Sequence, residues 1–180
     1  AKLYIDGVLK NTVDMGSSGN LITYAYTNST LLGAEAGTGS TPEAGYYHSG
    51  IIDEVRIWSD ARTEAEIRQN MYQELSNPSG ESNLVAYYKF NVTSEATLID
   101  SKSSYDGTLT NMTGEEWITS PAMFGSKNAL DFDGDNDYVT TGDALVNFAN
   151  DMTIEAWFNT TNSTGYNSIA TIEKTAGGGS

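Results

Sequence analysis

The chain contains no cysteine, a single histidine and three prolines among 180 residues. Without cysteine there is no disulfide framework and no thiolate zinc site, so the sequence leaves the redox compartment open. Basic residues are scarce as well. Nine Lys and Arg stand against 24 Asp and Glu, a formal net charge of -15. Nucleic acid and anionic membrane surfaces both require a basic patch, so neither is an expected partner. No apolar run approaches the ~18 residues of a membrane span, and membrane insertion is not expected. No signal-peptide pattern opens the chain. Both ends, "AKLYIDG" and "KTAGGGS", read as cut. The acidity suits a secreted or surface protein, or simple solubility.

The lone histidine limits catalysis. His48, in "YYHSG", has neither a cysteine nor a recognisable nucleophilic serine beside it, and reads as a loop or strand-edge residue.

Short alternating runs dominate what is present. "KLYIDG" places Leu3 and Ile5 on one face and supplies a hairpin turn at Asp6-Gly7, before Val8 and Leu9. "NLITYAYT", "TLLGAEA", "IIDEVRIW", "LVAYYKFN", "YDGTLTN", "NALDFDG", "DYVTTG", "MTIEAWFN" and "SIATIEK" are further strands, with "GTGSTPEAG" a loop by composition. Strands of this length, punctuated by Gly, Asn, Ser and Asp, indicate a sandwich or barrel. One segment departs from this. "ARTEAEIRQNMYQEL" sets Ile67, Met71 and Leu75 at i, i+4 and i+8, and Thr63 with Glu66 forms a capping box, so one short α-helix is expected near 63–75. "NPSGES" then ends the helix as a linker.

"LYIDGVL" and "GIIDEVRIWSDARTEAEIRQNM" resemble the closing part of a laminin-G-like domain of the concanavalin A-like lectin/glucanase superfamily. "LVAYYKFN", "LIDSKSSYDGTLTN", "FGSKNALDFDGDNDYV" and "MTIEAWF" resemble its opening part. The resemblance implies an all-β jelly-roll sandwich of two antiparallel sheets. It also implies an inverted order: residues 1–77 as the C-terminal part of one module, 78–83 a linker, and 84–180 the N-terminal part of the next. Two arrangements follow. Either this is a stretch of a tandem array with neither sandwich complete, or the head pairs with a tail, within the chain or from a neighbouring copy.

Acidic residues are the first site candidates. "DFDGDND" spaces Asp131, Asp133, Asp135 and Asp137 at every second position, with Leu130 and Phe132 on the opposite, core-facing parity. Carboxylates so close repel unless a cation or screening intervenes. The loop is not an EF-hand, since Gly134 stands at position 4 and Gly142 at position 12. In "IIDEVRIW", Asp53 shares the parity of Val55 and Ile57. The resemblance implies a structural calcium held by Asp53 with Asp131, Asp133 and Asp137 or nearby carbonyls. The alternative is that Asp133, Asp135 and Asp137 form turns and Asp53 is a solvated rim residue.

Aromatic residues are the second. Tyr46 and Tyr47 lie beside the Gly-rich loop and Trp58 shares a face with Arg56, so each is a candidate for stacking on a sugar, against packing as the alternative. The paired-acid strand signature of glycoside hydrolases with this fold is missing. A non-catalytic repeat module of a secreted or cell-surface protein is therefore expected, bacterial in style, serving adhesion, spacing and glycan contact. Its partners would be neighbouring modules of the same protein, and glycans or surface polysaccharide. The alternatives are a carbohydrate-binding module of a polysaccharide-degrading enzyme, and a glycoside hydrolase whose catalytic strand lies elsewhere.

Overall fold

The computed structural model describes residues 1–13, 30–37, 41–91, 96–102, 105–122, 128–141, 151–160 and 167–172. The strand expected at 20–27 and the end of the one expected at 168–174 lie outside the described residues. Within them strands far outweigh helix. In order they are β1 (Lys2–Ile5), β2 (Val8–Thr12), β3 (Thr30–Leu32), β4 (Ala34–Ala36), β5 (Pro42–Tyr47) and β6 (Ser49–Trp58). After helix α1 (Glu64–Asn70) come β7 (Leu84–Tyr88), β8 (Thr97–Leu98), β9 (Gly107–Thr110) and β10 (Trp117–Thr119). The last four are β11 (Asn128–Asp133), β12 (Tyr138–Thr141), β13 (Thr153–Asn159) and β14 (Ala170–Ile172).

Every pairing is antiparallel, and two five-stranded sheets carry the fold. One has the order β10-β11-β6-β13, with β7 also on β6; the other runs β14-β3-β12-β9-β8. Their facing residues make one core: Ile52, Val55, Ile57, Tyr88, Leu130 and Phe132 from the first sheet meet Leu32, Leu98, Leu109 and Val139 from the second. This layered, antiparallel architecture is that of a jelly-roll sandwich. Two-stranded sheets, β1-β2 and β4-β5, stand beside it.

The two sequence halves interleave. β6 has β13 along one edge, and β11 followed by β7 along the other. β3 lies between β12 and β14. Each strand of residues 1–77 that enters a large sheet therefore has strands of residues 84–180 on both sides. The strands of 1–77 and those of 84–180 build the two large sheets together.

Local sequence explains several details. Asp6 and Gly7 both have positive φ, 51° and 66°, as the hairpin turn between β1 and β2 requires. Gly33, at φ 79°, lets the chain leave one sheet for another between β3 and β4. A Cβ there would come within 2.2 Å of the Phe132 ring. "GTGSTPEAG" is not all loop, because β5 begins at Pro42; a proline that opens an edge strand needs no donor. The capping box of α1 is formed, with Thr63 N donating to the Glu66 carboxylate at 2.8 Å and Glu66 N to the Thr63 hydroxyl at 3.3 Å. The helix ends at Asn70, earlier than its apolar stripe suggests. Arg56 reaches across from β6 and takes the Asn70 and Gln73 carbonyls at 2.9 and 2.6 Å, satisfying the carbonyls that the helix leaves open.

Candidate functional site

β6 carries a bulge that reorganises the acids of "IIDEVRIW". Glu155 of β13 pairs with Arg56, and Trp157, two residues on, pairs with Asp53, three residues back. The extra residue on β6 falls at Glu54–Val55, and Glu54 has a positive φ of 53°. An inserted residue reverses the alternation beyond it. Ile52, Val55 and Ile57 therefore all face the core. Asp53 does not share the Val55 face as strict alternation predicts. It is fully buried, accepts from the Glu54 amide at 2.8 Å, and takes the Ser120 hydroxyl at 2.5 Å.

Glu54, Arg56, Trp58, Tyr87 and Glu155 assemble beneath α1. Arg56 Nη2 lies 2.9 Å from Glu54 Oε2, which also accepts from the Tyr87 hydroxyl. Arg56 Nη1 lies 3.8 Å from Glu155 Oε2, and the Trp58 indole donates to that same oxygen at 3.1 Å. Burial raises the Glu54 carboxyl to about 7, against the opposing pull of Tyr87 and Arg56. Burial also raises Glu155. A perturbed carboxyl pair suggests catalysis. Yet Glu54 and Arg56 are each only 3% exposed, and Arg56 is committed to helix carbonyls. The chemistry available to the cluster is therefore to clamp α1 onto the sheet. Trp58 belongs to this clamp. It is 1% exposed, Arg62 lies 4.1 Å over its ring, and Leu75, Leu84 and Tyr87 pack around it, so no face remains for a sugar.

The aspartates of "DFDGDND" form a turn. Asp131 and Asp133 are exposed while Leu130 and Phe132 point inward, as alternation requires. Asp133 Oδ1 accepts from Asp135 N at 2.7 Å and Asn136 N at 3.4 Å, an Asx-type closure, and Gly134 turns at φ 84°. Asp137 is buried and accepts from Asp133 N at 3.2 Å. Burial raises its carboxyl, with smaller upward pushes from Asp133, Glu116 and Asp131. Among the described residues no group of three or more His, Asp or Glu side chains is placed to hold a metal ion. Asp133 and Asp137 come together, whereas Asp53 is committed to Ser120.

Tyr46 and Tyr47 lie half-buried at the end of β5, after the exposed Glu43, Ala44 and Gly45. Next to them His48 is fully buried, edge-on to Phe132 with ring centroids 5.9 Å apart. Neither of its ring nitrogens has a hydrogen-bond partner among the described residues. Burial pushes its pKa down to about 4.

One concavity was not visible in the sequence. A cleft of about 1220 Å³ runs between the β1-β2 hairpin, α1 and β13. Leu3 and Leu9 line it on the hairpin side, Ile154 and Phe158 on the β13 side, and all four are exposed. Only topology reveals that no strand among those described covers them.

No curated protein and no solved structure matches the chain. Residues 1–68 match the family model of the concanavalin A-like lectin/glucanases superfamily.

Proposed function

We propose that this laminin-G-like module is a non-catalytic binding and spacing unit of a secreted or cell-surface protein, which contacts glycan at the β4-β5 rim. The carrying observation is the placement of Tyr46 and Tyr47, half-buried at the end of a strand whose preceding residues are open to solvent. A tyrosine held by packing on one side offers its other side to a sugar at low entropic cost. Arg56 holds both Glu54 and Glu155 while it donates to the helix carbonyls, and this commitment supports the non-catalytic part of the reading, because a glycosidase needs both carboxyls free to meet its substrate. The net charge of -15 suits an exported, highly soluble surface.

A glycan array probed with the intact chain and with Tyr47→Ala tests the reading. Binding to a defined glycan class that the variant loses supports it. Silence of the intact chain across the array removes the glycan part and leaves a spacer.

A further inference from the structure

His48 is the single residue between β5 and β6, and Gly33 the single residue between β3 and β4. These two junctions join the β4-β5 sheet to the sandwich, and they meet: His48 N donates to the Gly33 carbonyl at 2.7 Å. Both bear on Phe132, which the His48 ring meets edge-on and which leaves no room for a Cβ on Gly33. The His48 side chain is fully buried there, and neither ring nitrogen has a hydrogen-bond partner among the described residues. A neutral imidazole so placed leaves one donor and one acceptor unmet. An imidazolium would leave two donors and a full charge, which an apolar interior does not hold without a partner.

The chain is anchored unevenly around this ring. On the β4 side, Gly33 N donates to the Ile169 carbonyl and the Thr171 hydroxyl to the Ala34 carbonyl, both at 3.0 Å. Just past the ring, Ser49 N donates to Asn167 Oδ1 at 3.2 Å, and the Ser49 carbonyl accepts the Thr160 hydroxyl at 2.6 Å. β5 lacks such ties: among the described residues it pairs with β4 alone, and Glu43, Ala44 and Gly45 are exposed. The charged residues on the elements that meet the ring are acids: Glu35 on β4, Glu43 on β5, Asp131 and Asp133 on β11, and Asp137 in the turn that follows. None is bonded to the ring. Further along β6, Asp53, Glu54 and Arg56 are bound to Ser120, Tyr87 and the α1 carbonyls.

We infer that His48 is an acid-operated latch: protonation drives its ring from its place against Phe132, and β5 leaves β4 while Gly33, Ser49 and the two large sheets stay in place. Nearby acids favour the imidazolium once it is out. Burial lowers the pKa of the ring to about 4 from 6.5, so it binds a proton more tightly outside the interior than within. Release is therefore favoured as pH falls through that window, and reclosure as it rises. Tyr46 and Tyr47 travel with β5, so acid would also release a glycan held there; that consequence rests on the glycan reading of the rim, and the latch itself does not.

Amide hydrogen exchange on the full chain, corrected for the intrinsic pH dependence of exchange, tests the latch without any glycan. Protection of residues 43–47 should fall about tenfold or more between pH 7 and pH 4.5. At the lower pH these amides should exchange at least about tenfold faster than those of Val55, Ile57 and Leu130, which remain protected. In His48→Leu the acid-dependent fall should vanish. His48 is the only histidine in the chain, so its ring protons can be titrated by NMR in the parent, and the test stands even if the leucine variant does not fold. That titration should lie below 6.5 and accompany the loss of protection. The inference is overturned if residues 43–47 are equally protected at both pH values, or if their protection falls as far in His48→Leu. It is also overturned if they and the large sheets lose protection to the same extent, or if the ring titrates at its ordinary value with β5 still protected.

Discussion

The carboxylate of Glu54 accepts the hydroxyl hydrogen of Tyr87 at the residue where β6 exchanges β11 for β7 along one edge. The bulge, the change of neighbour and the polar contact coincide. The extra residue turns Glu54 out of the core. The side chain it delivers then fastens β6 to the first strand of the other sequence half, while Arg56 fastens the same point to α1. A strand that must serve two successive partners needs a local break in its ladder, and a bulge supplies one.

Two buried groups should give opposite pH slopes to stability. Glu54 has its carboxyl raised to about 7 from 4.5, so the folded state binds its proton more tightly than the unfolded state does. That contribution is complete below pH 4.5 and is lost as pH rises to 7. His48 is lowered to about 4 from 6.5, so its contribution is complete above pH 6.5 and is lost as pH falls to 4. Each shift corresponds to at most about 3 kcal/mol. Between pH 4.5 and 6.5 the two largely cancel. Urea denaturation at pH 5 and pH 7 should show His48→Leu gaining relative stability at pH 5 against the parent. Glu54→Gln should show the reverse, a relative loss at pH 5. Parallel shifts at both pH values in both variants would refute the assignment.

Gly33 lies hard against the Phe132 ring. Alanine there must adopt a φ of 79° and place its Cβ within 2.2 Å of the Phe132 ring, which packs edge-on to His48. Backbone strain and overpacking each cost about 1–3 kcal/mol. Gly33→Ala should therefore lower stability by about 3 kcal/mol or more, measured as a shift in denaturation midpoint. A change below about 1 kcal/mol would mean the crossing does not depend on the glycine.

Much of this was legible in the sequence. The hairpin at Asp6-Gly7, the capping box at Thr63 and Glu66, and the inward Leu130 and Phe132 all follow from local chemistry, and all are present. What failed did so for non-local reasons. Asp53 was assigned to the wrong face because nothing in "IIDEVRIW" marks Glu54 as the residue that takes a positive φ. Trp58 was offered to a ligand because its covers, Arg62 and Leu75, come from a loop and a helix end that periodicity does not aim. The apolar cleft escaped notice because alternation reports which side chains are meant to be covered, and not what covers them.

The carboxylates predict a weak response to calcium. Calcium asks for six to eight oxygens, and Asp53 is already held by Ser120 and the Glu54 amide. Asp133 is spent on its own turn, which leaves Asp137 as a buried acid with a raised pKa. Thermal melts with millimolar calcium and with chelator should differ by less than about 1 °C, because a ligand stabilises only in proportion to its binding of the folded state. A larger calcium-dependent rise, abolished in Asp137→Asn, would establish a metal site at this turn.

Trp58 and Tyr47 should separate packing from recognition. Trp58 is 1% exposed and donates to Glu155 from inside the α1 clamp, so Trp58→Ala removes a filled volume and one donor to the Glu155 carboxylate. The expected loss is about 3–5 kcal/mol of stability, visible as a lower denaturation midpoint. Tyr47 is half-buried at the end of β5, and Tyr47→Ala should cost about 1–2 kcal/mol, in proportion to the smaller apolar area it covers. Binding should divide the other way. On any glycan the intact chain retains, Tyr47→Ala should weaken affinity about tenfold or more. Trp58→Ala, measured below its own unfolding transition, should leave affinity within about threefold. If the Trp58 variant lost the glycan while remaining folded, the recognition surface would lie at α1 and β13 and not on the β4-β5 rim.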